Sequence, residues 1–125
     1  EPGSFTWCEL TCRDVDVATQ FYAAVFGWEA RIPPFAEGSG YHVFALPGVE
    51  RAGAGMMQMD ELWPEDIPAH WMIYFAVADT DLTAARAAEL GGTVSVEPFD
   101  LFNVGRVAVL NDPEGASFSI LQWSE

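Results

Sequence analysis

The chain repeats itself. Leu10-Thr11-Cys12-Arg13-Asp14-Val15-Asp16 leads into a helix-like stretch ending Val25-Phe26-Gly27, and Phe75-Ala76-Val77-Ala78-Asp79-Thr80-Asp81 leads into another ending Leu90-Gly91-Gly92. Asp79 lies 65 residues after Asp14, and Gly92 lies 65 after Gly27. The run Val43–Leu46 returns 64 residues later as Val107–Leu110. Such a period implies two copies of one structural unit. Each copy, of about sixty residues, is too short to be expected to fold stably alone, so the 125 residues are expected to form a single domain.

Each copy reads as a strand, a helix and three short strands. Phe5–Cys12 and Trp71–Val77 carry the aromatic and β-branched residues that suit a pleated, half-buried surface. Asp14 or Asp16 can cap the first helix and Asp79 or Asp81 the second, by accepting the free backbone N–H groups of the first turn. Ala18, Phe21, Tyr22 and Val25 recur at helical spacing, which predicts one buried stripe. The second helix, Leu82–Leu90, has a thinner stripe, and glycines end both. The remaining strands are expected near Trp28–Ile32, Tyr41–Leu46, Gly53–Met59, Thr93–Val96, Gly105–Asn111 and Ala116–Trp123, with Asp112-Pro113-Glu114-Gly115 as a turn. The expected organisation is one domain over 1–125, with module one at about 4–59, an acidic proline-containing linker at 60–69 and module two at about 70–123. The class is α+β, built from two βαβββ modules.

Composition narrows the function. Half the residues are hydrophobic, no apolar run approaches the roughly 18 that span a membrane, and a formal net charge of −14 argues against nucleic acid. All five basic side chains are arginine, so Schiff-base chemistry on lysine is excluded. Cys8 and Cys12 share one strand and are too far apart along it to pair. They read as buried reduced thiols, which suits a cytoplasmic protein. His42 and His70 stand at no zinc spacing from them. There is no Gly-x-Ser-x-Gly elbow, and Gly53-Ala54-Gly55 enters a strand rather than a helix, so hydrolase and phosphate-loop readings have no footing.

Arg13-Asp14-Val15-Asp16, Phe21-Tyr22, Val25-Phe26-Gly27-Trp28, Val77-Ala78-Asp79, Glu89-Leu90-Gly91-Gly92 and Asp112-Pro113-Glu114-Gly115 occur in an order that spans nearly the whole chain. Together they resemble the vicinal oxygen chelate superfamily, which includes glyoxalase I, extradiol dioxygenases and bleomycin-resistance proteins. Glu1–Trp7 and Pro68–Phe75 further resemble a largely actinobacterial subgroup whose chains often hold two such domains. The resemblance implies a curved eight-stranded mixed-sheet trough holding a ligand and, in the enzymes, a divalent metal. It is compatible with a homodimer, or with a second domain of the same kind in a longer tandem chain.

Carried over to this chain, the family's metal positions fall on Trp7, on Gly55 or Met56, on Met72 and on Ser119. An indole, a thioether and a serine hydroxyl are poor ligands for the metals of this fold, and a one-residue slip in each strand rescues only Cys8. The expectation is therefore no metal and no other cofactor. Strand alternation from Trp7 turns Phe5, Trp7 and Glu9 into the trough, together with Met72 and Tyr74, and with Ser119 and Leu121. Trp71, Ile73, Phe75 and Val77 are then expected in the core, and Met56, Met57 and Met59 add adaptable surface nearby. Glu9 is either a carboxyl of raised pKa able to act as acid or base, or a solvated group at the trough mouth.

The site expected from these positions is a ligand-binding set of Phe5, Trp7, Glu9, Met72, Tyr74, Ser119 and Leu121. Glu9 and Tyr74 are its only candidates for catalysis. The leading function is metal-independent binding of a small organic molecule, cationic or planar, because an acidic surface attracts cations and aromatic walls stack flat rings. The alternatives are a superfamily lyase, isomerase or oxygenase with an altered or absent metal site, and a scaffold or regulatory domain with a vestigial trough. Whether the chain is an enzyme stays open at this level.

Overall fold

The computed structural model describes residues 1–34, 38, 40–61, 63–101 and 104–124. The elements run β1 (Phe5–Cys12), α1 (Val15–Phe26), β2 (Glu29–Arg31), β3 (Tyr41–Ala45), β4 (Ala54–Gln58), β5 (His70–Ala76), α2 (Thr80–Glu89), β6 (Thr93–Leu101), β7 (Gly105–Asn111) and β8 (Ser117–Trp123). This is βαβββ twice, an α+β fold. The chain divides into two compact units, Trp7–Trp71 and Glu1–Thr6 with Met72–Glu125.

The repeat is visible in the pairing. In the first unit the strand order is β2-β3-β4-β1, with β1 parallel to β4 and the other neighbours antiparallel. In the second it is β6-β7-β8-β5, with β5 parallel to β8 and the rest antiparallel. β6 runs further than expected, to Leu101, through two register shifts. It ends that strand order, and Pro98, which has no N–H to donate, is tolerated on such an edge.

Helix starts repeat as well. The Asp14 carboxylate accepts from the N–H groups of Asp16 and Val17, and Asp79 accepts from that of Leu82, so Asp14 and Asp79 are the caps rather than Asp16 and Asp81. A second device was not foreseen. The Gln58 side chain, at the end of β4, accepts from Val15 N–H at 3.2 Å. Gln122, near the end of β8, accepts from Thr80 N–H at 2.9 Å. Each glutamine satisfies the first free donor of its own module's helix. Gly27 ends α1 in the left-handed region at φ 76°. α2 ends instead at Leu90, in an ordinary conformation, and Gly91 follows at φ 96°.

The core of the first unit joins Leu10, Cys12, Val15, Phe44, Ala54 and Met56, with Ala18 and Tyr22 packed against it. The expected α1 stripe is thus half right. Phe21 and Val25 are 57% and 53% exposed. Ala18 and Tyr22 sit one turn apart on the sheet-facing side, and Val17, Phe21 and Val25 form a second apolar row turned outward. Trp71 also departs from expectation: it packs in the first unit, edge-on to Tyr22 and Trp28, and its indole N–H donates to the Tyr22 hydroxyl at 3.1 Å. Ile73 is 44% exposed rather than in the core. The second unit's core is Ala84, Ala108, Leu110 and Ile120, with Val77 and Phe118 against it, and Phe75 meets Phe118 edge-on.

The linker is anchored, not free. Arg13 donates to the carbonyls of Pro64 and Ile67 at 2.6 and 2.9 Å; Leu62 of that stretch lies outside the described residues. In the second unit Arg106 plays a similar anchoring part. Its guanidinium grips the Asp81 carboxylate with two bonds of 2.6 and 3.1 Å and reaches Asp100 at 3.1 Å. The hydrogen bonds from Arg106 hold the Asp81 carboxyl below the usual carboxylate range. A carboxyl with a lowered folded-state pKa stabilises the fold above its unfolded pKa of about 4, and that contribution fades as pH falls through the folded value. Arg106→Gln is therefore expected to lower the urea midpoint at pH 7, with the deficit shrinking below about pH 4. A deficit unchanged at acid pH would contradict this.

Candidate functional site

Alternation along β1 sorts its side chains. Cys8, Leu10 and Cys12 join the core under α1, so Trp7, Glu9 and Thr11 occupy the opposite face. The register carries this to the neighbouring strands: Glu9 is level with Gly55, Gly55 with Val43, and Met57 with Tyr41. The face of the first unit's sheet opposite α1 thus holds Trp7, Glu9, Gly55, Met57, Tyr41 and Val43. Met56 belongs to the other side and is fully buried, whereas Met57 lies on this face; Met59, also buried, follows the end of β4.

On this face the Trp7 indole N–H donates to the Tyr41 hydroxyl at 3.1 Å. Both groups lie directly over Gly55. A Cβ placed there would sit 1.9 Å from the Tyr41 oxygen and 3.0 Å from the Trp7 nitrogen. Glycine is required here by close approach, the role a glycine inside a strand commonly signals. Glu9 is beside them and 9% exposed, so it is not a solvated mouth carboxylate. Tyr41 was missed by sequence reasoning. Its contact with Trp7 depends on the register of strands 34 residues apart, though a lone glycine in Ala54-Gly55-Met56 was a usable hint.

In the second unit, Ile120 lies in the core under α2, which turns Ser119 and Leu121 to the other face. Tyr74 is level with Ser119, Ala76 with Leu121, and Val109 and Val107 flank them on β7. Ser119 and Leu121 are 1% and 3% exposed. Met72 and Tyr74 are half-buried, whereas Phe5 is 59% exposed. The Ser119 hydroxyl has no hydrogen-bond partner among the described residues. A buried hydroxyl without a partner costs about 1–3 kcal/mol, so it marks a place where water or a ligand atom would be held.

Neither thiol is poised for chemistry. Burial, and then the neighbouring Glu9 charge, push the Cys8 thiol up from its usual range. Burial does the same to Cys12, partly offset by a hydrogen bond from the Asp14 backbone. Neither shows the lowered pKa of an activated thiol.

The chain belongs to the glyoxalase-like domain family of the vicinal oxygen chelate superfamily, whose family model matches residues 7–121. It is 43% identical over 122 residues to "Putative glyoxylase CFP32" of Mycobacterium tuberculosis, a match covering 98% of this chain and 45% of that protein. It is 33% identical over 128 residues to "Anthracycline biosynthesis protein DauV" of a Streptomyces species, covering 95% of this chain and 46% of that one. The chain therefore spans a little under half the length of these curated relatives. Among solved structures, the Mn(II)-bound glyoxalase of Novosphingobium aromaticivorans superposes with a TM-score of 0.62 at 20% identity, over 97% of this chain and 39% of that one. At that identity the likeness concerns the fold.

A manganese-type site does not fit these residues. The positions carried over from the family present an indole N–H, a glycine, a thioether and a serine hydroxyl, where hard divalent cations take imidazole or carboxylate. Among the described residues no three His, Cys, Asp or Glu side chains converge on a common point. The space above Gly55 is filled by a phenol and an indole. This packing makes a direct prediction. Gly55→Ala is expected to displace Tyr41 and cost about 1–3 kcal/mol, the range for an overpacked site. In a Tyr41→Ala background most of that cost should vanish. A double-mutant cycle by urea unfolding measures the coupling, and additive effects would contradict the geometry.

Proposed function

We propose that this domain binds a small, planar organic molecule on the face carrying Trp7 and Tyr41, and that it does so without a metal ion. The observation that carries the reading is the Trp7–Tyr41 pair over Gly55. A hydrogen bond fixes the orientation of the indole, so a flat ligand meets a pre-set surface and little rotamer freedom is lost on stacking. Glu9, buried on the same face, supplies a polar group beside the aromatic pair. A few placed polar groups within apolar walls are the usual make-up of a small-molecule site. The net charge of −14 favours a cationic ligand over an anionic one at this face. On the second unit's own face, Tyr74, Ser119 and Leu121 offer a further binding surface, with the Ser119 hydroxyl seeking a partner. The name of the Streptomyces relative, an anthracycline biosynthesis protein, points to a flat fused-ring compound as a sensible first probe.

The test is calorimetric titration with daunorubicin, a planar cation, in the presence of EDTA. The expected result is saturable binding that EDTA leaves unchanged and that Trp7→Ala weakens by about tenfold or more, the usual loss for a stacked aromatic anchor. Two results would refute the reading: binding that appears only after a divalent metal is added, or equal affinity in a Trp7→Ala variant that remains folded by circular dichroism.

A further inference from the structure

A second site lies on the other side of the first unit's sheet. A cavity of about 270 Å³ opens among Trp28, Phe44, Leu46, Val49, Arg51 and Cys8. The space exists because Ala45, Gly53 and Ala54 also line it, and their small side chains leave a gap beside two large aromatic rings. Cys8, Phe44 and Ala54 are core residues of the layer under α1, so this cavity is separate from the face of Trp7 and Tyr41. Its loop wall is fixed. Arg31 donates to the carbonyls of Val49 and Leu46 at 2.7 and 3.2 Å, pinning the β3–β4 connection from outside.

The charge at the cavity is the unusual part. Arg13, Arg31, Arg86 and Arg106 all have hydrogen-bond or ion-pair partners. Among the described residues Arg51 alone of the five arginines has none, in a chain carrying nineteen acids. An arginine left uncommitted amid so many carboxylates, at the edge of an apolar hollow, offers an anion a planar pair of donors. A volume just under the roughly 300 Å³ where ligand pockets begin limits the occupant to a small molecule.

We propose that this cavity binds a small aromatic carboxylate, its ring against the apolar wall formed by Trp28, Leu46 and Val49 and its carboxylate on the Arg51 guanidinium. The ring replaces empty volume with contact to apolar walls. The carboxylate finds the one arginine of this unit without a partner among the described residues, so local pairing outweighs the acid surface around it. Ring and charge must both be present. The neutral amide keeps the ring contacts and loses the charge-assisted bond, and a simple aliphatic acid such as acetate does the reverse.

The experiment titrates the intact protein with phenylacetate and with phenylacetamide, and follows alkylation of Cys8 by iodoacetamide alongside. Cys8 lines the cavity and is partly accessible, so an occupant should shield it. The expected result is phenylacetate binding about tenfold or more tighter than phenylacetamide, the scale of a charge-assisted hydrogen bond. Saturating phenylacetate should slow Cys8 labelling several-fold. In Arg51→Gln, an exposed change, phenylacetate affinity should fall to that of the amide, with the Tm unchanged in the absence of ligand. The proposal is overturned if neither compound binds, if acid and amide bind alike, if the preference survives in Arg51→Gln, or if phenylacetate binds without protecting Cys8. The outcome with daunorubicin does not bear on any of these, because that titration reports on the opposite face.

Discussion

The two-residue period of β1 sets everything that follows. One set of its side chains, Cys8, Leu10 and Cys12, is committed to the core under α1. The other, Trp7, Glu9 and Thr11, is then committed to the opposite face, whatever its chemistry. A slip of one residue would drive Glu9 under the helix and bring Leu10 out, so the register is strongly specified. The parallel pairing with β4 carries the same division onward, placing Met56 in the core and Gly55 opposite. The second unit obeys the same rule through Ile120 and Ser119.

Within that division, Gly55 is the position on which the candidate site turns. A side chain there would meet the Tyr41 hydroxyl, and without Tyr41 the Trp7 indole would lose the partner that orients it. Aromatic contact fills the space above Gly55, one of the positions onto which the resemblance carried a family metal ligand.

Much of the fold was legible because it rests on local chemistry and on repetition. β1 and β7 fall on their expected limits, and the Asp-x caps and the Asp112–Gly115 turn follow from side chains bonding their own backbone: Asp112 accepts from Glu114 and Ala116 at 2.9 Å. The parity that separates Trp7 and Glu9 from Leu10, and Ser119 and Leu121 from Ile120, was legible too. What failed was tertiary. α1 carries two apolar rows, Ala18–Tyr22 and Val17–Phe21–Val25, and spacing alone cannot say which one meets the sheet. Trp71 was expected in the core with its strand neighbours, but an aromatic at a strand's start can reach another cluster, here Tyr22 and Trp28. Gln58 and Gln122 escaped notice because each bonds a helix start about 42 or 43 residues away in sequence. Tyr41 escaped for the same reason. The cavity beside Arg51 is a matter of missing volume, and no sequence pattern announces that.

The first unit therefore has two sides of different character: an aromatic face in an acidic chain, and on its far side a small hollow lined by Arg51, which has no partner among the described residues. The central claim is that the first of these has exchanged metal chemistry for aromatic contact. Titration calorimetry with Mn(II), Ni(II) and Zn(II), each added to protein freed of metal, tests it most directly. The account predicts no saturable one-to-one uptake by the intact protein. Stoichiometric uptake of any of these ions that is lost in Glu9→Gln, with the fold retained, would contradict it.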